Sequence, residues 1–512
     1  MNFRMFLIHH FLETSANEYP EKEAVVHDGQ RFSFLEINKK SNQIANWLIE
    51  KFIKKGDRVA LILDNSIEFI ISYYAILKTG AIVVPINTGI DSLEIHQILK
   101  DCSPKIVFLQ NKTLTKLIDD SGSTINKFQL VLTGSSEINY EYTLLNAIFE
   151  TNISTQSPDI SVIDIDTASI IYTSGSTGMP KGVMLTHLNI VSNTRSIVQY
   201  LNMKKADRCL IILPFSYVFA LSLLNTHFSI SATVILDNRF TFPNVILKTM
   251  IEEKATIFAG VPATYSILIN KSSLPKKIFP YLRYLLQAGG HLSADIKKQL
   301  IQLFPDKKVF IMYGATEASA RLSYLPPTEL ETKLDSIGKS IPNVEMDVFN
   351  KKGEPVPIDT EGEIVARGVN IMAGYWNDPD STKVTIVDGW YYTGDLGYKD
   401  QDGYFYVSGR KREMIKVGAY KVSALEIEQV IYRIEGAKDV AVIGVPDNNT
   451  GEAIKAVVVS DAKKSLGIED IKHFCMNNLP AYKVPKHITF VDHLPKNSYG
   501  KILKAKVKKL VE

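Results

Sequence analysis

The chain has 512 residues, 45% apolar and 22% charged, the balance of an ordinary globular protein, with length for roughly three folding units. Lys and Arg number 58 against 55 Asp and Glu, a formal net charge of +3, which argues against a nucleic-acid partner. Disordered, collagen-like and disulfide-stapled classes are excluded: Cys102, Cys209 and Cys475 are widely spaced, match no zinc or CxxC pattern, and read as buried or incidental thiols of a reducing compartment.

The N-terminal "MNFRMFLIHHFLET" has one early Arg and a short apolar run broken by His9 and His10, without a small-residue cleavage site. It reads as an amphipathic helix and not a signal peptide, with the adjacent histidines at the surface and not on a metal. No segment reaches the ~18 uninterrupted apolar residues of a membrane span, and a cytoplasmic location is expected. Short apolar runs then alternate with helical patterns, at Arg58–Leu63, Ala81–Asn87, Lys105–Gln110, Ala168–Thr173, Cys209–Pro214, Thr233–Asp237, Ala255–Gly260, Tyr284–Gly290 and Val309–Gly314. Apolar runs without polar alternation, separated by helices, predict parallel sheets covered on both faces. Ligands gather beyond the carboxyl ends of such strands.

From about Pro342 the texture changes. "EGEIVARG" and "DGYFYVSG" predict a small β unit, and after Arg410 the chain returns to mixed α/β with "DVAVIGVP", "EAIKAVVVS", a helical "EDIKHFCMNNL" and the strand "HITFVD". The expected architecture is α/β: a large N-terminal domain (1–410) of parallel-rich sheets flanked by helices plus the β unit, then a small α+β domain (411–512). The boundary falls at the charged run Lys411–Glu413.

The densest chemical signal is "TSGSTGMPKG", Thr173–Gly182, directly after a buried run, with four hydroxyls and three glycines in ten residues. Glycines let the backbone approach a ligand, and successive N–H groups with hydroxyls form a concavity for phosphate. Lys181 adds a mobile positive charge. The spacing is not that of a Walker A loop, and a flexible Ser/Gly linker is disfavoured by the Pro-Lys-Gly end and the abrupt join to the strand.

"YTSGSTGMPKGVMLTH" (Tyr172–His187) resembles the phosphate-loop signature of the adenylate-forming superfamily, which holds acyl-CoA synthetases, aryl-CoA ligases, firefly luciferase and peptide-synthetase adenylation domains. The resemblance continues in order through "YGATEAS" (Tyr313–Ser319), "YYTGDLG" (Tyr391–Gly397), "GRKREMIKVGAYKVSALEIE" (Gly409–Glu428) and "LPKNSYGKILK" (Leu494–Lys504), and so spans almost the whole chain. It implies that Thr173, Ser174, Gly175, Ser176, Thr177, Gly178 and Lys181 cradle the phosphates of ATP. It further implies that Tyr313 stacks on adenine beside Gly314, that Thr316 meets the α-phosphate, and that Glu317 holds Mg²⁺. Tyr313 is also a flat ring after a buried strand, and Glu317 a hard oxygen donor. Asp395 is implied to take the ribose hydroxyls, Arg410 to contact ribose or phosphate, and Lys501 to be the near-terminal catalytic lysine. An ammonium there lowers the barrier as charge builds on the α-phosphate; otherwise Lys501 is one of six lysines in a basic tail, Lys496–Lys509. Tyr499 stands where many relatives have Ser or Thr. Glu426 and Glu428 read as structural.

By the same resemblance "LPFSYVFAL" (Leu213–Leu221) floors an acid pocket walled by Tyr217, Val218, Gly289 and Gly290; His291 beside them reads as a capping or surface residue. Val218 falls where amino-acid-activating members place an Asp. An unpaired ammonium there is costly, so the acid is fatty or another non-amino acid. Gly418 and Ala419 would line a thiol tunnel once the small, mobile domain has rotated; Ala419 replaces a usual second glycine. The implied activity is acyl-AMP formation from a small-molecule carboxylic acid and Mg·ATP with pyrophosphate release, then transfer to coenzyme A. The alternatives are a separate acyl- or peptidyl-carrier protein as the thiol donor, through its phosphopantetheine, and an inactive nucleotide-binding scaffold of the same fold. The oligomeric state is left open.

Overall fold

The computed structural model describes residues 5–511 apart from 122–124, 135–139, 174–179, 419, 448–449, 462–465 and 497–501. All nine apolar runs are strands within a residue or so of their starts, and they sort into two large sheets. The first runs in the order Lys339–Ser340, Ser323–Leu325, Lys308–Tyr313, Tyr284–Gln287, Ile257–Gly260, Arg208–Ile211, Thr233–Leu236, Glu23–His27, Gln30–Ser33. The second runs Gly374–Tyr375, Lys181–Thr186, Thr167–Thr173, Ile82–Pro85, Arg58–Ile62, Ile106–Gln110, Gln129–Thr133, Thr143–Leu144. Their central strands pair parallel, as expected of strands covered on both faces.

What covers them is visible in the helices. Ile67–Lys78 and Val218–Ser229 are buried on nearly every side, so neither shows the polar face of a surface helix. Both belong to one core cluster containing Val59, Leu61 and Val83 of the second sheet and Ile211, Val234 and Leu286 of the first. They therefore form a layer between the sheets. The outer faces are closed by Pro243–Glu252, Pro262–Lys271 and Ala294–Leu303 on the first sheet and by Ser92–Cys102 and Asn111–Ser121 on the second. Polar caps fix the helix starts. Ser33 and Glu36 exchange the reciprocal bonds of a capping box at Phe34–Glu50, and Thr186 does the same with Asn189 where Lys181–Thr186 turns into His187–Leu201.

The β unit is an antiparallel sheet of Val344–Phe349, Gly362–Gly368, Trp390–Lys399 and Ile386–Val387, with Phe405–Arg410 paired to Trp390–Lys399. A 3₁₀ turn at Lys411–Glu413 leads into a fourth sheet of Met414–Val417, Tyr420–Ser423, Ala437–Asp447, Gly451–Ser460 and His487–Phe490. One face of it packs on Ala424–Tyr432 and Ile468–Asn478. Its other face packs on Val507 of the last helix, Lys504–Val511. The three cysteines are buried free thiols, and no described helix is long and apolar enough to cross a membrane.

Two expectations need correction. Thr167–Thr173 is parallel to its neighbour on one side but forms an antiparallel hairpin with Lys181–Thr186 on the other. A strand buried on both faces reads alike in either direction. His9 is also not at the surface. It lies in the helix His9–Glu18 at 8% exposure, edge-on to His187 with ring centroids 5.8 Å apart. Ligand atoms of His9, His10 and Glu13 lie within 4.8 Å of one another, but Glu13 is held in an ion pair with the buried Lys78.

Burial holds His9 well below the ordinary histidine range and lowers His187 to about 3. The unfolded chain therefore takes up protons first on acidification. This contribution to stability is complete above about pH 6.5 and is lost as pH falls toward the folded values. Thermal unfolding followed at about pH 7.5 and about pH 5 should show a lower midpoint at the acidic value. The drop should be smaller in His9→Phe, because His9 Nδ1 has no partner among the described residues; an unchanged drop would contradict this.

Candidate active site

The site forms where the strand Lys308–Tyr313 ends against the antiparallel β unit. Gly314 follows at once, and the chain folds back so closely that a Cβ there would lie 2.8 Å from Ala320 C and Arg321 Cα. Only a glycine admits that approach. A 3₁₀ turn, Thr316–Ala318, comes next, and Ser319 and Ala320 then take positive φ, 54° and 107°. Such conformations persist only where neighbours over-determine them. Here Asn370 Nδ2 donates to the carbonyls of Ala318 at 3.1 Å and Arg321 at 3.0 Å, Asn193 Nδ2 donates to Arg321 at 3.0 Å, and Ser319 Oγ donates to Asn370 at 2.8 Å.

The fold-back aims two functional side chains. Tyr313 donates its phenol to Asp395 Oδ2 at 2.7 Å. Asp395, 4% exposed, also accepts from Arg410 Nε at Oδ1, 2.7 Å. Asp395 and Arg410 face each other as cross-strand partners, so the pair is set by sheet register. The carboxylate raises the Arg410 guanidinium above its ordinary value, and burial with the same carboxylate raises the Tyr313 phenol. Each Asp395 oxygen accepts one bond from these two partners, and a carboxylate oxygen has two lone-pair directions. The second direction on each oxygen is taken by no described residue. Glu317 accepts from the Tyr375 phenol at Oε1, 2.8 Å, leaving Oε2 as a hard oxygen suited to Mg²⁺. The buried Tyr391 phenol has Glu317, Tyr313, Tyr375 and Asp395 as electrostatic neighbours, so the two carboxylates belong to one site.

The ends of the glycine-rich segment reach the same place. Thr173 and Lys181 are partners across the hairpin; Ser174, Gly175, Ser176, Thr177 and Gly178 lie outside the described residues. Lys181 is not the mobile charge expected of it. Its ammonium hydrogen-bonds Ser381, pairs with Asp378 at 3.1 Å and lies 5.1 Å from the Tyr375 ring centroid. Asp378 caps the helix Pro379–Thr385, and hydrogen bonds from Ser381, then Lys181, lower its carboxyl to about 2. A phosphate would share Lys181 with this anchor.

The residues expected to wall an acid pocket lie on the first sheet's carboxyl side. Tyr217 immediately precedes Val218–Ser229, whose first residue Val218 is buried. Gly289, at φ +86°, has the Tyr217 hydroxyl and Val261 where a Cβ would go, and Gly290 beside it is exposed. Gly418 belongs to the fourth sheet, in the hairpin turn at φ +59° with its N–H donating to Thr450. Ala419, Tyr499 and Lys501 lie outside the described residues. Glu426 and Glu428 are structural, as expected: Lys483 holds the first, and the second pairs with Lys504 and accepts from Val442 N.

Sequence reasoning missed Tyr375, Asp378 and Arg321. The Asn377–Asp378–Pro379 run, a turn followed by a helix cap, was a usable signal for the anchor of Lys181. Gly314→Ala should cost about 1–3 kcal/mol through overpacking, and should weaken nucleotide binding more than a distant substitution of equal cost. Thermal unfolding with and without ATP checks this, and an unaltered ATP-induced shift would contradict it.

The chain is similar to known proteins along nearly its whole length. A family model described as AMP-binding enzyme matches residues 12–376, and one for the AMP-binding enzyme C-terminal domain matches 426–501. A long-chain-fatty-acid–CoA ligase of Bacillus subtilis is 31% identical, over 97% of this chain and 93% of the relative. An oxalate–CoA ligase of Arabidopsis thaliana is 31% identical over 96% of each. The solved structure of o-succinylbenzoate coenzyme A synthetase from Bacillus subtilis, in complex with ATP and magnesium ion, superposes with a TM-score of 0.85 at 25% identity, covering 97% of this chain and 99% of that one. The order of elements and these matches together make the chain a member of the AMP-binding, adenylate-forming enzyme family.

Proposed function

We propose that the chain is an ATP-dependent acid–thiol ligase that activates a carboxylic acid as acyl-AMP and passes the acyl group to coenzyme A. The observation that carries this reading is Asp395, buried and held by Tyr313 and Arg410 with one acceptor direction open on each oxygen, next to Glu317 and the ends of a glycine-rich loop. Asp395 holds the ribose, Tyr313 lies against adenine, and Thr316 with the 173–181 segment meets the phosphates. Mg²⁺, held at Glu317, would neutralise phosphate charge. A carboxylate oxygen bonds to the α-phosphorus as the bond to pyrophosphate breaks. Lys501 stabilises the negative charge that develops there. The thiol sulfur then attacks the acyl carbon, AMP leaves as the carbon–oxygen bond breaks, and the thiol proton passes to solvent.

Two half-reactions at one site require the end of the chain to move. We take 1–410 and 411–512 as the moving parts, with the hinge at Lys411–Glu413. Strands up to Arg410 belong to the third sheet and those from Met414 to the fourth, and Lys504 bridges Glu413 and Glu428 at 2.8 Å each, tying the hinge to the segment that carries Lys501. Val218, buried and apolar, supports a non-amino acid. The second reading, loading of a carrier protein's phosphopantetheine, differs only in the thiol.

Pyrophosphate release that depends on an added acid is the first test, and none with any acid would favour an inactive scaffold. Free coenzyme A compared with a pantetheinylated carrier then identifies the acceptor. Lys501→Ala should abolish adenylate formation yet leave thioester synthesis from preformed acyl-AMP largely intact; equal loss of both steps would overturn the assigned roles. Asp395→Ala should raise the KM for ATP by roughly 10- to 100-fold, the size of charge-assisted hydrogen bonds, and an unchanged KM would remove Asp395 from the ribose site.

A further inference from the structure

Arg321 is 2% exposed. Its Nε lies 3.3 Å from Met312 Sδ, one terminal nitrogen donates to the adjacent Ala320 carbonyl at 3.2 Å, and the guanidinium carbon sits 4.2 Å from the Phe219 ring centroid. Tyr200 and Tyr217 are its electrostatic neighbours. Among the described residues no carboxylate lies within ion-pair distance of it. A guanidinium has five N–H donors, and a thioether, a carbonyl and phenols compensate its charge poorly. A buried cation without an anion is expensive. Two lysines are buried to the same degree: Lys78 has its carboxylate in Glu13, and Lys297 donates to the Leu334 carbonyl.

The position is built and not incidental. Arg321 leaves the strained Ser319–Ala320 turn, whose carbonyls are clamped by Asn193 and Asn370. The same turn carries Glu317, so the cation is fixed relative to the reacting end of the site. Tyr217 and Phe219, which flank the guanidinium, belong to the wall of the acid pocket. Tyr217 in turn contacts the place beside the exposed Gly289. Tyr217 therefore stands between the exposed Gly289, which it touches, and Arg321, whose charge it neighbours. The acids named for the compared relatives range from long-chain fatty acids to oxalate, so kinship does not select among them.

We propose that Arg321 is a specificity-determining residue, the counter-ion for a second carboxylate, and that the acid activated is a dicarboxylic acid. Its far carboxylate pairs with Arg321 while its near carboxylate faces the α-phosphate. This rests on the ligase reading above and deepens it.

The test uses the full chain with Mg·ATP and acids paired by skeleton, octanoate with octanedioate and benzoate with terephthalate, scored by pyrophosphate release. In the wild type the better dicarboxylate should exceed its monocarboxylate counterpart in kcat/KM by roughly 10- to 100-fold, the worth of a charge-assisted contact. Arg321→Met should erase that preference chiefly through the dicarboxylate's KM, and Arg321→Lys should retain part of it. Thermal unfolding and ATP affinity of each variant separate a folding defect from lost recognition, and the wild-type ranking needs no variant. A wild type that prefers monocarboxylates overturns the proposal. So does an Arg321→Met that lowers both members of a pair equally, since Arg321 would then serve the reacting carboxylate or the fold. Release with no acid at all would instead overturn the ligase reading itself.

Discussion

The carboxylate of Asp395 holds the account together. It receives a phenol from the end of a strand in the first large sheet and a guanidinium from its cross-strand partner in the β unit. A buried carboxylate must be paired and hydrogen-bonded to stay ionised, and both partners here come from residues whose positions backbone register fixes. Removing either would free the carboxylate to turn. Arg410 is also the last residue of its strand before the Lys411–Glu413 turn, so this bond sits at the edge of the segment proposed to rotate.

Around that bond the molecule arranges charge in unequal ways. Glu317 and Lys181 are each restrained by neighbours that leave room for a ligand: Tyr375 holds one and Asp378 the other. Arg321 lacks such a partner among the described residues. The strained turn that connects Glu317 to Arg321 fixes the proposed metal ligand and the proposed counter-ion relative to each other. Strain of this kind is kept where it fixes a geometry, and here it fixes the spacing of Glu317 and Arg321.

Much of this was legible in the chain and some was not, for physical reasons. The apolar runs located the strands because burial on both faces leaves no polar alternation to confuse them. The same feature hid the antiparallel hairpin at Thr167–Thr186, since direction leaves no mark on such a run. Gly314 and Asp395 stood out through local pattern. Tyr375 did not, because its partner Glu317 is 58 residues away. His9 was misplaced because its burial depends on His187, far along the chain. Arg321 carries no local signal, because its burial comes from the packing of Phe219, Met312 and Tyr200 around it.

The central claim is that a single nucleotide is gripped by Asp395 with Glu317 and the glycine-rich loop close by. A crystal structure with a non-hydrolysable acyl-adenylate analogue examines it most directly. The account predicts both ribose hydroxyls donating to Asp395, adenine against Tyr313, and the acyl chain running toward Tyr217. An analogue bound elsewhere, or an Asp395 carboxylate still closed between Tyr313 and Arg410 with no ribose contact, would contradict it.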